Sequence, residues 1–367
     1  MPARILERSA AHWVLRAAAA ILVVVLVTYP PRNFDIFRLN QVTDALILAL
    51  AALSLNLLIG FTGQISLGHS AFFGIGAYAT GILVVDHGWS PGWTFPAGAI
   101  IAFVVGVVIG IPALRLKGLY LALVTLAIAV LFPSIVRKFD TVTGGSQGIK
   151  GIRYKPPAWT DLKGREGDAH FKYWLMIVLL AVGYVIARNL VKSRVGRAMV
   201  ATRDNEVAAQ VMGVNVALIK TVTFGISAGI CALAGSMYAV RATTINPDDR
   251  ALTLLGSIVF LVAMIIGGTA TLIGPIIGGL AYFYIDYLAR DWSDGPVASV
   301  LFGGLLIALM FVAPQGIVGL AKRVARSVLR VVPRPPPSHR AVLSPATAAE
   351  PAGVGSSGAL PPPVPPK

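Results

Sequence analysis

The chain has 367 residues, of which 56% are hydrophobic and only 13% are charged, and its mean hydropathy is +0.76. Soluble domains carry roughly 25% charged residues, so this composition excludes a water-soluble globular protein. The apolar residues also come in long uncharged runs, and about 20 such residues in a helix cross a bilayer. The composition therefore predicts an integral membrane protein.

The formal net charge of +15 could indicate nucleic-acid binding, but the lysines and arginines are concentrated between the apolar runs. Six of them follow the last run before any acidic residue appears: Lys322, Arg323, Arg326, Arg330, Arg334 and Arg340. Cytoplasmic segments of membrane proteins carry this excess of positive charge. We therefore expect membrane topology to account for the basicity, and no nucleic-acid partner.

In chain order, the apolar runs predict an all-α polytopic bundle of about ten transmembrane helices, with both termini in the cytoplasm. The predicted spans are 11–29, 43–60, 70–85, 94–111, 119–136, 172–188, 221–240, 252–267, 271–289 and 298–314. The first run resembles a secretory signal, but the sequence Tyr29-Pro-Pro-Arg32 makes a poor cleavage site. We expect this run to remain as a span.

Alternation of the spans places the loops 61–69, 112–118, 189–220 and 268–270 in the cytoplasm, and the basic charge of 189–220 agrees with that side. The loop 137–171 falls outside, yet it carries seven cations: Arg137, Lys138, Lys150, Arg153, Lys155, Lys163 and Arg165. Either it hides a further span or re-entrant segment, or its length weakens the charge rule.

Residues 332–367 are rich in proline, alanine, serine and glycine, which cannot bury enough apolar surface to fold. The expected organisation is a transmembrane domain over 1–320 and a tail over 321–367. The tail is predicted to be basic at first, then proline-rich, disordered and cytoplasmic.

Small residues recur at the four-residue spacing that lets helices approach closely in lipid. They are Gly106 with Gly110, Gly225 with Gly229, and Gly274 with Gly278. We expect them to pack helices within the bundle.

The segment between the second and third spans mixes glycines with polar side chains. Irregular backbone at membrane depth is tolerated where protein or a wet cavity satisfies it, so this segment predicts a broken helix lining a pathway. A short cytoplasmic turn is the alternative, with His69 as a hydrogen-bonded structural residue. The candidate pathway residues are Asn56, Gln64, Ser66 and His69.

The 189–220 loop predicts a short helix over 205–212. Asp204 suits its N-cap, Glu206 its first turn and Gly213 its end. Such a short helix has little stability alone, so we expect it to dock onto the bundle or onto a partner protein. A solvated connector is the alternative.

Several chemistries have no motif in this sequence. There is no G-x-x-x-x-G-K-[ST] phosphate loop, no metal-ligand spacing and no nucleophile elbow, and Cys231 is the only cysteine. Paired carboxylates within the spans are missing too, since Asp44 and Asp286 fall near span ends. We therefore expect no catalytic residues, no metal and no cofactor.

Six stretches in the same order resemble the LivM-type permeases of branched-chain amino-acid ABC transporters, over roughly residues 40 to 320. They are 53–78 (LSLNLLIGFTGQISLGHSAFFGIGAY), 117–126 (KGLYLALVTL), 143–149 (TGGSQGI), the loop 193–215, 262–279 (with IGGTATLIGP at 266–275) and 311–319 (FVAPQGIVG).

The resemblance implies an inner-membrane permease, not an enzyme, that forms half of a translocation pathway. Its implied partners are a second related permease, two cytoplasmic ATPase subunits and a periplasmic amino-acid-binding protein. The implied substrates are leucine, isoleucine and valine, while urea and short-chain amide permeases look similar and a stand-alone secondary transporter is a further alternative. ATPase movements would reach the membrane through Gly196, Arg197, Arg203, Asp204, Glu206 and Gly213.

Overall fold

The computed structural model describes residues 3–6, 24–113, 119–154, 164–292 and 315–332, and the isolated positions 21, 297, 300, 303, 304, 307, 308 and 311. These residues are mostly helical. The helices are α1 (24–33), α2 (Ile36–Thr62), α3 (His69–Val85), α4 (Pro91–Ala113), α5 (Leu119–Lys138), α6 (Asp140–Thr143), α7 (Gly164–Lys192), α8 (Arg194–Asp204), α9 (Glu206–Val211), α10 (Val216–Ala242), α11 (Leu254–Gly267), α12 (Gly274–Trp292) and α13 (Gly316–Val328). The strands are β1 (Ala3–Leu6), β2 (Ile149–Lys150), β3 (Thr244–Ile245) and β4 (Leu329–Val332).

Among the described helices, α2, α4, α5, α7 and α10 are long and apolar enough to cross a bilayer, and α3 and α11 are shorter apolar helices. This confirms a helical, multi-pass membrane protein. Each predicted span between residues 43 and 289 coincides with a described helix. The count of ten stays a prediction, because the spans 11–29 and 298–314 lie largely outside the described residues, as do the residues beyond 332.

Helices α2 and α10 form the centre of the bundle. Helix α2 is apolar on nearly every side between Ala45 and Leu58, and a segment of that kind has to be buried. It packs against α7, α10, α11 and α12. Helix α10 packs against α3 and α4 as well. The two central helices therefore carry most of the contacts that position the polar residues described below.

Glycines form the crossing of α4 and α10, as their spacing predicts. A Cβ on Gly106 would lie 2.7 Å from the Cβ of Ala228, and a Cβ on Gly225 would lie 2.6 Å from Cγ2 of Val107. Larger side chains at these two positions would push the helices apart. Close backbone approach of this kind gives membrane helices their van der Waals contact in lipid.

The described part of the basic 137–171 loop lies at the same end of the bundle as the loop 241–251. Strand β2 pairs antiparallel with β3, and Arg137 forms an ion pair with Asp248. Residues 139–154 contain the one-turn helix α6, a 3₁₀ turn and β2, and no further span. The described part of the loop therefore adds no spanning helix to the bundle.

The two ends of the described chain lie side by side. Strand β1 pairs in parallel with β4, so that Ala3 faces Leu329 and Leu6 faces Val332. The first and last described strands therefore form one two-stranded parallel sheet.

Candidate functional site: the 189–220 loop and the break between α2 and α3

The 189–220 loop folds into two short helices. Ser193 caps α8, its Oγ accepting a hydrogen bond from the Gly196 amide at 3.3 Å. Asn205 has an extended backbone and caps α9, its Oδ1 accepting from the Ala208 amide at 3.0 Å. The prediction of Asp204 as this cap is wrong by one residue, because Asp204 is the last residue of α8.

The remaining predictions for this short helix agree with its observed boundaries. Glu206 is in the first turn of α9, and Gly213 follows the end of the helix with φ +81°. Gly196 packs α8 against the end of α7, since a Cβ there would lie 2.0 Å from the carbonyl oxygen of Val191. Arg197 is exposed.

Arg203 fixes α8 to the end of α2. Its Nη1 donates a 2.8 Å hydrogen bond to the carbonyl oxygen of Gly60, while Nε and Nη2 donate to Oδ1 of Asp204 at 3.0 and 2.9 Å. The chain leaves α2 at Gly63, whose φ of +69° is left-handed. A Cβ on Gly63 would lie 3.0 Å from Cγ of Arg203, so the turn and the arginine are packed together.

Glu206 fixes α9 to the start of α10. It forms an ion pair with Lys220, whose side chain is only 10% exposed. Gln64 joins the same cluster, its Nε2 donating to Oγ1 of Thr62 at 3.0 Å and to the carbonyl oxygen of Lys220 at 3.5 Å. The 189–220 loop, α10 and the break after α2 are thus connected through polar contacts.

His69 joins the far side of the break to α10 and α2. Its Nδ1 lies 3.0 Å from Oγ of Ser66, and its Nε2 lies 2.8 Å from Oγ of Ser227. The Ser227 hydroxyl donates to the carbonyl oxygen of Ser54 at 2.6 Å, so it has to accept from Nε2–H. The arrangement places a proton on Nε2. Since burial disfavours the charged ring, we assign a neutral His69 whose Nδ1 accepts from Ser66.

Asn56 stabilises a second irregular segment, between α11 and α12. Its Nδ2 donates to the carbonyl oxygen of Thr271 at 2.8 Å, and its Oδ1 accepts from the Ala270 amide at 3.0 Å. Ala270 has φ +55°, an uncommon conformation for a residue with a side chain. The Asn56 amide therefore stabilises a strained turn from inside α2.

The four predicted pathway residues are separated into two groups. Gln64, Ser66 and His69 lie in or beside the break after α2, whereas Asn56 contacts the segment between α11 and α12. All four side chains are buried and form hydrogen bonds within this chain. Their role in lining a pathway stays a prediction.

Sequence reasoning missed the partners of these residues. Lys220 and Ser227 each stand in or beside an apolar run, which is a signal for a polar residue with a buried partner. Their partners could not be identified, because Ser227 and His69 are 158 residues apart. Arg241 and Asp44, 197 residues apart, also form an unexpected 3.1 Å ion pair between the last turn of α10 and the third turn of α2.

Helix α9 and the residue that follows it present an exposed apolar surface, which we call the α9 patch: Val207, Val211 and Met212, exposed by 66%, 81% and 84%. Val207 and Val211 are one helical turn apart, so they share a face. The patch lies in a polar loop beside the ion pair of Glu206 with Lys220. Grouped exposed apolar side chains of this kind mark interaction sites.

Comparison with known proteins identifies the family. Residues 37–310 match the family described as branched-chain amino acid transport system, permease component. The chain belongs to this family. It is thus a multi-pass transport permease, and the family is not one of enzymes.

Three relatives illustrate the range of similarity. The high-affinity branched-chain amino acid transport system permease protein LivM of Escherichia coli is 27% identical, covering 82% of this chain and 74% of the relative. LivH of the same system and organism is 24% identical over 76% of this chain and 94% of its own length. The autoinducer 2 import system permease protein LsrC of Salmonella paratyphi B is 27% identical over 79% of this chain and 85% of the relative. No solved structure matches the chain.

Proposed function

We propose that the chain is the permease subunit of an ATP-binding-cassette importer for branched-chain amino acids in the inner membrane, with both termini in the cytoplasm. It would form half of the translocation pathway. Similarity to both LivM and LivH supports pairing with a second, related permease. Two cytoplasmic ATPase subunits and a periplasmic amino-acid-binding protein would complete the importer.

The α9 patch carries this proposal. An apolar surface on a water-side helix needs a protein partner, and the same helix is linked directly to the bundle through Glu206 and Lys220. The predicted coupling residues fit this arrangement, since Arg203, Asp204 and Glu206 surround the junction of α8 and α9. The ATPase subunits would dock on the α9 patch.

Movement of the docked ATPase would reach the membrane through two connections. Arg203 contacts the end of α2, and Glu206 contacts the start of α10, so a shift of α8 and α9 acts on both central helices. In an alternating-access cycle, ATP binding and hydrolysis would then open the paired permeases inward. Substrate selection would reside mainly in the binding protein.

Reconstitution with the partner subunits tests the docking role. We expect V211E/M212E to lower ATPase co-purification and substrate-stimulated hydrolysis at least about tenfold, because two carboxylates would be desolvated in an apolar interface. The matched control is V142E, which adds a carboxylate at a 53% exposed apolar position on the opposite end. Unchanged ATPase binding in V211E/M212E would contradict the proposal.

The substrate is tested separately, in proteoliposomes holding the complete importer. We expect uptake of labelled leucine, with competition from isoleucine and valine and none from urea. Dominant uptake of urea or a short-chain amide would favour the alternative permease class. Uptake by this chain alone, driven by an ion gradient without ATPase subunits, would contradict the importer proposal.

A further inference from the structure

Helix α13 starts against the bundle, beside the break between α11 and α12. Gly316 has φ +73°, and a Cβ there would lie 2.4 Å from Cα of Gly268. Val318 is buried, and α13 packs against both α11 and α12. Its first turn is therefore fixed at the end of the bundle where Asn56 stabilises the same break.

Beyond that first turn, the sequence of α13 divides into two faces. Helical spacing places the apolar positions 317, 320, 321, 324 and 328 along one side and the cationic positions 322, 323 and 326 along the other. Leu320 is 40% exposed, and Lys322 and Arg323 are exposed too. The helix thus presents apolar and basic surfaces together, at the end of a membrane bundle.

We propose that α13 lies in the membrane interface and binds the anionic headgroups of the surrounding bilayer. Charge complementarity argues for lipid: six cations between 322 and 340 occur with no acidic residue before Glu350. A basic helix with an apolar face is typical of interfacial helices, whose apolar side enters the acyl boundary. The fixed start at Gly316 keeps the helix beside the bilayer.

A label on α13 in the full-length protein tests this. The only native cysteine, Cys231, is buried, so A321C gives one accessible site for a fluorophore. The labelled protein is placed in phosphatidylcholine nanodiscs that contain increasing fractions of quencher-labelled phosphatidylglycerol. A matching series with quencher-labelled phosphatidylcholine is the neutral reference. We expect the phosphatidylglycerol to quench the label at a lower mole fraction.

Removing the charge of α13 is the decisive comparison. In K322Q/R323Q/R326Q, the mole fraction of phosphatidylglycerol that quenches half of the fluorescence should rise about fivefold or more. Each cation near an anionic surface contributes about a factor of five to the affinity. The control K138Q/K150Q/R153Q removes three cations at the opposite end and should leave it unchanged.

Three results would overturn the proposal: equal quenching by both lipids, quenching only by a water-soluble quencher, or protection of the label only after ATPase subunits are added. The last result would identify α13 as a protein-docking helix.

Discussion

Arg203 donates a 2.8 Å hydrogen bond to the carbonyl oxygen of Gly60, 143 residues earlier in the chain. The contact joins α8 of the 189–220 loop to the last turns of α2, the most buried of the five described helices that are long enough to cross a bilayer. A side chain from the loop thus contacts the backbone of a central helix directly.

We expect R203M to weaken the coupling of ATP hydrolysis to transport. Hydrogen bonds from charged groups contribute about 1.5–3 kcal/mol, and methionine keeps the length of the side chain without its donors. In the reconstituted importer, leucine uptake per ATP hydrolysed should fall several-fold. K192Q, which changes an exposed cation at the end of α7, is the control. An unchanged ratio of leucine uptake to ATP hydrolysis in R203M would show that the contact with Gly60 has no part in coupling.

The ion pair of Glu206 with Lys220 should show a strong non-additive effect. E206A leaves the mostly buried Lys220 ammonium without its partner, which we expect to cost about 3 kcal/mol; the exposure of Glu206, 31%, argues against more. The double variant E206A/K220M should recover part of this loss, since neither charge remains. Thermal unfolding in detergent measures both. Additive losses would mean that the two side chains do not interact in the folded protein.

Replacing Asn56 should loosen the segment between α11 and α12. N56L removes a donor to Thr271 and an acceptor for Ala270, and each orphaned buried group costs about 1–3 kcal/mol. We expect faster hydrogen exchange of the Ala270 amide in N56L. The amides of α5 should keep their exchange rates in the same sample. Unchanged protection of Ala270 would indicate that the turn is held by other contacts.

The helices could be predicted from the sequence because the residues of each span that face lipid or the core are apolar, and they form continuous apolar runs. The ends of the helices could not be predicted in the same way. Helix α7 begins at Gly164, eight residues before the predicted span, because a hydropathy pattern does not detect the polar residues by which a helix extends beyond its apolar part. The predicted cap at Asp204 was one residue early because aspartate and asparagine both suit an N-cap. Only the fold shows that the Asp204 carboxylate is bonded to Arg203.

The sequence predicted which residues belong to the site, but it did not predict which of them contact one another. Glycines and polar residues marked the break after α2, and the 189–220 loop was identified by its charge. The bonds that join them link residues far apart in sequence, such as Gln64 with Lys220 and His69 with Ser227. Pairing at that distance depends on how α2, α3 and α10 cross, and one sequence does not specify it.

The proton of His69 should be found on Nε2. Solid-state ¹⁵N NMR of the labelled protein distinguishes the two ring nitrogens, and we expect a neutral ring with Nε2–H. In S227A that nitrogen loses its acceptor and the Ser54 carbonyl loses its donor, so the free energy of unfolding should fall by about 1–3 kcal/mol. S193A, at a partly buried helix N-cap outside this cluster, measures how much stability the loss of one capping hydrogen bond costs. A proton on Nδ1 in the unmodified protein would contradict the assigned arrangement.

The pairing of β1 with β4 has a practical consequence for engineering. Because Leu6 and Val332 are neighbours in a parallel ladder, a short linker from Val332 back to Ala3 would join the two strands. New termini could then be opened in the turn between α3 and α4, at the opposite end of the bundle. Such a circularly permuted permease would carry its fusion tags at that opposite end.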